Sequence, residues 1–157
     1  MRDLEDKQKE SEKMIAIGSD HGGYELKKYI IESIPEIEFQ DYGTFSDNPI
    51  DYPDIAFSVA KDVAKGIAEK GILICKTGVG MSIAANKVKN IRCALCFNPK
   101  IGEMAKRHED ANIIALGADY ITKEDALETI NNWLKVKFEG ERHQRRIDKI
   151  SKYEEER

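Results

Sequence analysis

No stretch of this sequence approaches the roughly 20 consecutive apolar residues that a bilayer span requires, so nothing in it points to a membrane. Basic charge is not in excess either: 25 Lys and Arg stand against 29 Asp and Glu, a formal net charge of -4. That balance excludes a general nucleic-acid binder, and any anion site must be local. Cysteine is scarce and odd in number, three in all, and residues 1–13 alternate charges without the apolar run of a secretory signal. A disulfide framework is therefore not expected; the thiols read as reduced and the chain as cytoplasmic. Internal repeats and low-complexity segments are lacking as well.

What remains is a globular balance, with 41% hydrophobic and 34% charged residues in a 157-residue chain, enough for one domain. Residues 1–13 form a polar tail, 14–150 the single domain, and 151–157 a charged tail. From Met14 a cycle of short apolar runs and helical patterns begins. Strands are expected at Met14–Ser19, around Ile37 and Phe39, at Gly71–Cys75, Ile91–Cys96 and Ile113–Gly117. Helical patterns follow each: Tyr24–Ile34, a helix opened by Pro53 and ending near Gly66, Met81–Val88, a helix after Pro99, and a long one carrying Ala126, Ile130, Trp133, Leu134 and Phe138. A last solvated helix follows Arg142. This alternation predicts an α/β fold, a three-layer α/β/α Rossmann-like sandwich on a five-stranded parallel sheet, because parallel neighbours need crossover helices.

In such a sheet ligands bind beyond the carboxyl ends of the strands. Those positions hold Ser19-Asp20-His21-Gly22-Gly23, Cys75-Lys76-Thr77-Gly78-Val79-Gly80 and, before the last strand, Arg107-His108-Glu109-Asp110. The glycine turn at Thr77–Gly80 precedes a helix, where unpaired amides favour a negative oxygen. It lacks the Gly-Lys-Ser/Thr of a phosphate loop and the third glycine of a dinucleotide fingerprint, and on its own it reads equally as a structural turn. Cys75 is either a proton acceptor at a strand end or a small buried hydrophobe. Cys93 and Cys96 lie within one strand and point to opposite faces, which argues against a metal or redox pair. Arg142 and Arg146 share a helix face near His143 and Arg145: a clamp for a phosphate monoester, or a solvated face paired with Glu139, Glu141 and Asp148.

In this order the pieces resemble the type B ribose-5-phosphate isomerase family, which includes galactose-6-phosphate isomerase subunits. The resemblance runs from about Met14 to Ile150, through Ile15-Ala-Ile-Gly-Ser-Asp-His-Gly-Gly23, Asp51-Tyr-Pro-Asp54, Ile72 to Lys87, Ile91-Arg-Cys-Ala-Leu95, Asn112 to Gly117, and Glu139 to Arg146. It implies strand order 2-1-3-5-4 and interconversion of ribose 5-phosphate and ribulose 5-phosphate through a cis-enediolate, with no metal and no cofactor. It also implies a homodimer with shared active sites, or a tetramer of such dimers. Cys75 is the implied base, assisted by Thr77, and His108 the ring-opening group. Asp20 and Tyr52 contact the sugar; the amides of Gly78, Val79, Gly80, Met81 and Ser82 hold the enediolate; His21, Arg142, His143 and Arg146 take the phosphate.

The chain departs from the family's usual Gly at Lys76, Asn at Glu109 and second Gly at Glu141. A positive φ at position 76 would strain a lysine. Glu109 accepts from sugar hydroxyls but cannot donate. Lys76 and Glu109 are expected to pair across the mouth of the site. Two other functions stay open: isomerisation of a hexose 6-phosphate of allose or galactose type, and non-catalytic sugar-phosphate binding.

Overall fold

The computed structural model describes residues 14–157; the polar tail 1–13 lies outside the described residues. Strands β1 (Ile15–Ser19), β2 (Phe39–Asp41), β3 (Lys70–Cys75), β4 (Cys93–Leu95) and β5 (Ile113–Gly117) form one parallel sheet of order β2-β1-β3-β5-β4. Helices α1 (Tyr24–Ser33), α2 (Tyr52–Ala64), α3 (Val79–Ala85) and α4 (Pro99–Glu109) make the four crossovers, and α5 (Lys123–Lys135) and α6 (Arg142–Glu155) follow the last strand.

The period of two along each strand sorts the core into two layers. Ala16, Leu73, Cys75, Ile113 and Ala115 face α2 and α3, meeting Ile55, Val59, Val63, Met81 and Ala85. Ile15, Ile17, Ile72, Ile74, Ile114 and Leu116 face α1, α4 and α5, meeting Ile30, Ala105, Ile130 and Trp133. Each large aliphatic chain so withdrawn from water contributes about 1.5–3 kcal/mol, which is why the central strands read as unbroken apolar runs. Cys93 falls in the first layer and Cys96 in the second. Burial pushes both thiols up, Cys96 to about 12, as expected for inert core sulfurs.

Several boundaries differ from expectation. α3 stops at Ala85, short of Val88, and β4 spans only three residues. Asn86 explains both, because its side chain accepts from the Cys93 N–H at 2.8 Å and donates to the Cys93 carbonyl at 2.9 Å, standing in for backbone. α5 ends at Lys135, leaving Phe138 beyond it, and α6 runs through the expected start of the charged tail to Glu155.

Lys27 is fully buried in α1, although the spacing there marked only Leu26, Tyr29, Ile30 and Ile34 as inward. Its ammonium donates to Asp41 Oδ1 at 2.7 Å and to the Thr44 carbonyl, and lies 5.3 Å from the Phe45 ring centre. Ser19 N donates to Gly43 O, and Thr44 N donates back to Ser19 O, both at 2.7 Å. The buried cation thus straps the turn after β2 onto the end of β1, beside Asp20. Among the described residues no helix is long and apolar enough to cross a membrane.

Candidate active site

The carboxyl ends of β1, β3 and β5 meet in register, with Ser19 opposite Ile74 and Cys75 opposite Gly117. Asp20 N donates to Ile74 O at 3.2 Å, and Ala118 N to Cys75 O at 2.9 Å, so the turns after β1, β3 and β5 are mutually anchored. Cys75 is 5% exposed, and its Sγ accepts the Gly78 N–H at 3.1 Å. Thr77 Oγ1 accepts the Val79 N–H at 3.2 Å. Gly78 adopts φ 77°, the left-handed region that favours glycine, as the chain turns from β3 into α3. A Cβ on Gly117 would stand 2.5 Å from Thr77 O, so that glycine is what allows the Thr77 backbone to lie against β5.

Asp20 is buried and accepts the Gly23 N–H through Oδ1 at 3.1 Å, shaping the short turn His21–Gly23. His21 Nδ1 is buried there without a hydrogen-bond partner. Tyr52, at the start of α2, packs its ring against Gly80, where a Cβ would lie 2.6 Å from the ring. The structure therefore brings Asp20, His21, Tyr52, Cys75, Thr77, Gly78, Val79, Gly80, Met81 and Ser82 to one rim of the sheet. Not every expected amide is free there: Gly78 serves Cys75, Val79 serves Thr77, and Ser82 N donates to Gly78 O at 3.0 Å. Ser82 is thus corrected as an oxyanion donor; its amide already closes the first helical turn, leaving Gly80 and Met81. The Met81 side chain is fully buried, so only its backbone faces the rim.

A second group lies at the end of α4 and the start of α6. The His108 and His143 rings stack with centroids 4.3 Å apart and planes 10° from parallel. Glu139 Oε1 lies 3.7 Å from His108 Nε2 and 3.9 Å from His143 Nε2. His143 is 5% exposed, and burial first, then Arg142 and His108, hold its imidazole below the ordinary 6.5. Arg142 and Arg146 are exposed and make no ion pair among the described residues. The solvated-face alternative expected Glu139, Glu141 and Asp148 to neutralise them; instead Glu139 faces the imidazoles and Asp148 accepts from Gln144 at 2.7 Å. Glu139, which sequence reasoning offered only as a charge partner, is the residue it missed.

Among the described residues no hydrogen bond or ion pair joins the Cys75 group to the His108 group within one chain. The expected Lys76–Glu109 pair does not form either. Lys76 lays its stem over Gly22, whereas Glu109 lines a groove with Arg92, Ile150 and Glu154. Nor does Lys76 adopt a positive φ; among the described residues the non-glycine positions that do are Asn90, Asp110 and Glu141, the last at φ 52° immediately before α6. The backbone that would welcome glycine is therefore at 141, not 76.

A rim built from a strand-end thiol, a hydroxyl and helix-entry amides can move a proton next to a developing oxyanion. Two unpaired guanidinium groups beside imidazoles can hold a phosphate. Ribose-5-phosphate isomerase B of Escherichia coli is 42% identical over 147 residues, covering 92% of this chain and 99% of that protein. The solved structure of ribose-5-phosphate isomerase B from Clostridium thermocellum superposes with a TM-score of 0.89 at 45% identity, covering 91% of this chain and 98% of the other. That of the Mycoplasma genitalium enzyme with bound ribulose 5-phosphate gives 0.88 at 43% identity, covering 93% and 99%. The family model for ribose/galactose isomerases matches residues 15–150, and with the strand order, the Cys75 turn and the arginine-bearing helix all in place, this chain belongs to the ribose/galactose isomerase family.

Proposed function

We propose that this chain interconverts ribose 5-phosphate and ribulose 5-phosphate through an enediolate, with Cys75 removing the C2 proton of the opened aldose and returning it at C1. The observation that carries this reading is the seat of the sulfur: the end of β3, bonded to the Gly78 amide, beside Thr77 and the Asp20 turn. Thr77 assists the proton transfer, and the Gly80 and Met81 amides receive the charge on the enediolate oxygen. α3 has only seven residues, so individual N–H groups rather than a helix dipole supply this stabilisation. His108 opens the furanose, Asp20 and Tyr52 contact hydroxyls, and His21, Arg142, His143 and Arg146 hold the phosphate. Glu109 is left out of this assignment because it lines the groove beside Arg92.

The working unit is a homodimer in the cytoplasm, in which the arginine-bearing end of one chain completes the Cys75 rim of the other. Two observations support it: the two groups do not meet within a chain, and apolar Val79, Phe97 and Tyr120 stand exposed beside the Cys75 rim. The test is incubation with ribose 5-phosphate in heavy water, following ketose formation and deuterium entry at carbon. Cys75→Ala should reduce both by about 10²–10⁴-fold while inorganic phosphate still binds. Full turnover by that variant would remove Cys75 as the base. Exchange confined to hexose 6-phosphates would move the substrate assignment, and binding without exchange would make the protein a sugar-phosphate binder.

A further inference from the structure

The structure assigns Glu139 a positioning role: its carboxylate faces both stacked rings, His108 and His143, and sets them as one pair for ring opening by His108. This rests on the isomerase reading and names how one of its steps is prepared. The geometry is specific. One carboxylate oxygen lies within 4 Å of both Nε2 atoms, at 3.7 and 3.9 Å, while the rings lie parallel at 4.3 Å. Glu139 N donates to Arg107 O, one residue before His108, and His143 N donates to Gly140 O, one residue after Glu139, both at 3.0 Å. Backbone bonds next to each histidine thus hold Glu139 near both imidazoles it faces. His143 Nε2 is buried with no hydrogen bond, so this oxygen is the acceptor it is left with. The same three residues offer metal-ligand atoms, but parallel rings aim their in-plane lone pairs side by side rather than at one point.

The surrounding charges make the carboxylate matter. From α6, Arg142 and Arg146 repel a proton on His143, and each imidazolium would repel the other. From α4, Arg107 is already paired with Glu103 at 2.8 Å. Glu139 is the anion facing the stack. Ring opening needs a proton donor beside the ring oxygen. As the C1–O4 bond breaks and the C1 carbonyl forms, His108 gives its proton to the departing O4, and the proton of the anomeric hydroxyl returns to the pair. The pair ends with the proton count it began with.

Glu139→Gln keeps the shape and removes the charge at a partly exposed position. Turnover of ribose 5-phosphate should fall on the order of tenfold, part of what a positioned general acid supplies. Ribulose 5-phosphate carries its phosphate on the C5 oxygen and cannot close a furanose ring. Washout of its C1 hydrogen into heavy water needs no ring opening and should keep its rate. In nuclear magnetic resonance titrations the C2–H signal of His143, which Glu139 pulls upward, should shift to lower pH. Equal loss of turnover and washout, no loss of either, or an unshifted titration would overturn the inference. A wild-type chain inactive toward both sugars would sink the isomerase reading itself, while the titration shift would still report the pairing.

Discussion

The Cys75 rim and the His108 group are built from different materials. The rim sets its thiol and hydroxyl by main chain: strand register, anchored turns, a glycine at φ 77° and amides that bond to Cys75 and Thr77. The His108 group is side chain: two rings, a carboxylate and two arginines, standing at the junction of α4 and α6. A main-chain site is tied to the fold, so damage there costs stability together with function. A side-chain site can lose its chemistry while the fold stands.

The most damaging way to break this contrast is at Gly78. An alanine there would hold φ 77° with its Cβ 2.6 Å from Leu95 Cδ1 and 3.0 Å from the Leu116 carbonyl carbon. Left-handed strain and overpacking together should remove about 2–4 kcal/mol, read as a lower urea midpoint, with activity falling alongside. Unchanged stability would deny that the rim is part of the fold. Arg146→Ala should do the opposite. The urea midpoint should stay within error, while KM for the sugar phosphate rises on the order of tenfold or more, as expected for losing a charge-assisted bond. The smallest effect sharpens the comparison through pH. The folded chain holds His143 below 6.5, so the unfolded chain binds the extra proton first. His143 thus adds a term in which stability is full above about pH 6.5 and declines as pH falls below it. His143→Asn should flatten that part of the urea midpoint's dependence between about pH 7.5 and 5.5.

Much of this architecture was legible because its causes are local. Ile113–Gly117 was read to the residue, since an apolar run ended by glycine needs no distant partner to be a strand. Asp20, Cys75 and Thr77 were expected at strand ends, and the structure seats them there because the apolar runs before them form β1 and β3. What escaped depends on contacts between distant segments. Asn86 ends α3 early only because Cys93 folds back beside it. Lys27 can be buried only once Asp41 and Thr44 arrive from beyond β2. Glu139 looked like one more surface charge, and its role emerges only where the ends of α4 and α6 meet. The Lys76–Glu109 expectation failed for a related reason: adjacency to two residues that must approach one substrate says nothing about which way their neighbours turn.

The lysine stem resting over Gly22 couples two positions that lie 54 residues apart in the chain. A methyl group added at 22 would evict that stem toward solvent, so the conformation of residue 76 is decided partly by a hydrogen atom on another strand's turn. Exchanges at these sites should therefore be non-additive, and the double replacement Gly22→Ala with Lys76→Gly should be tolerated better than the first change by itself.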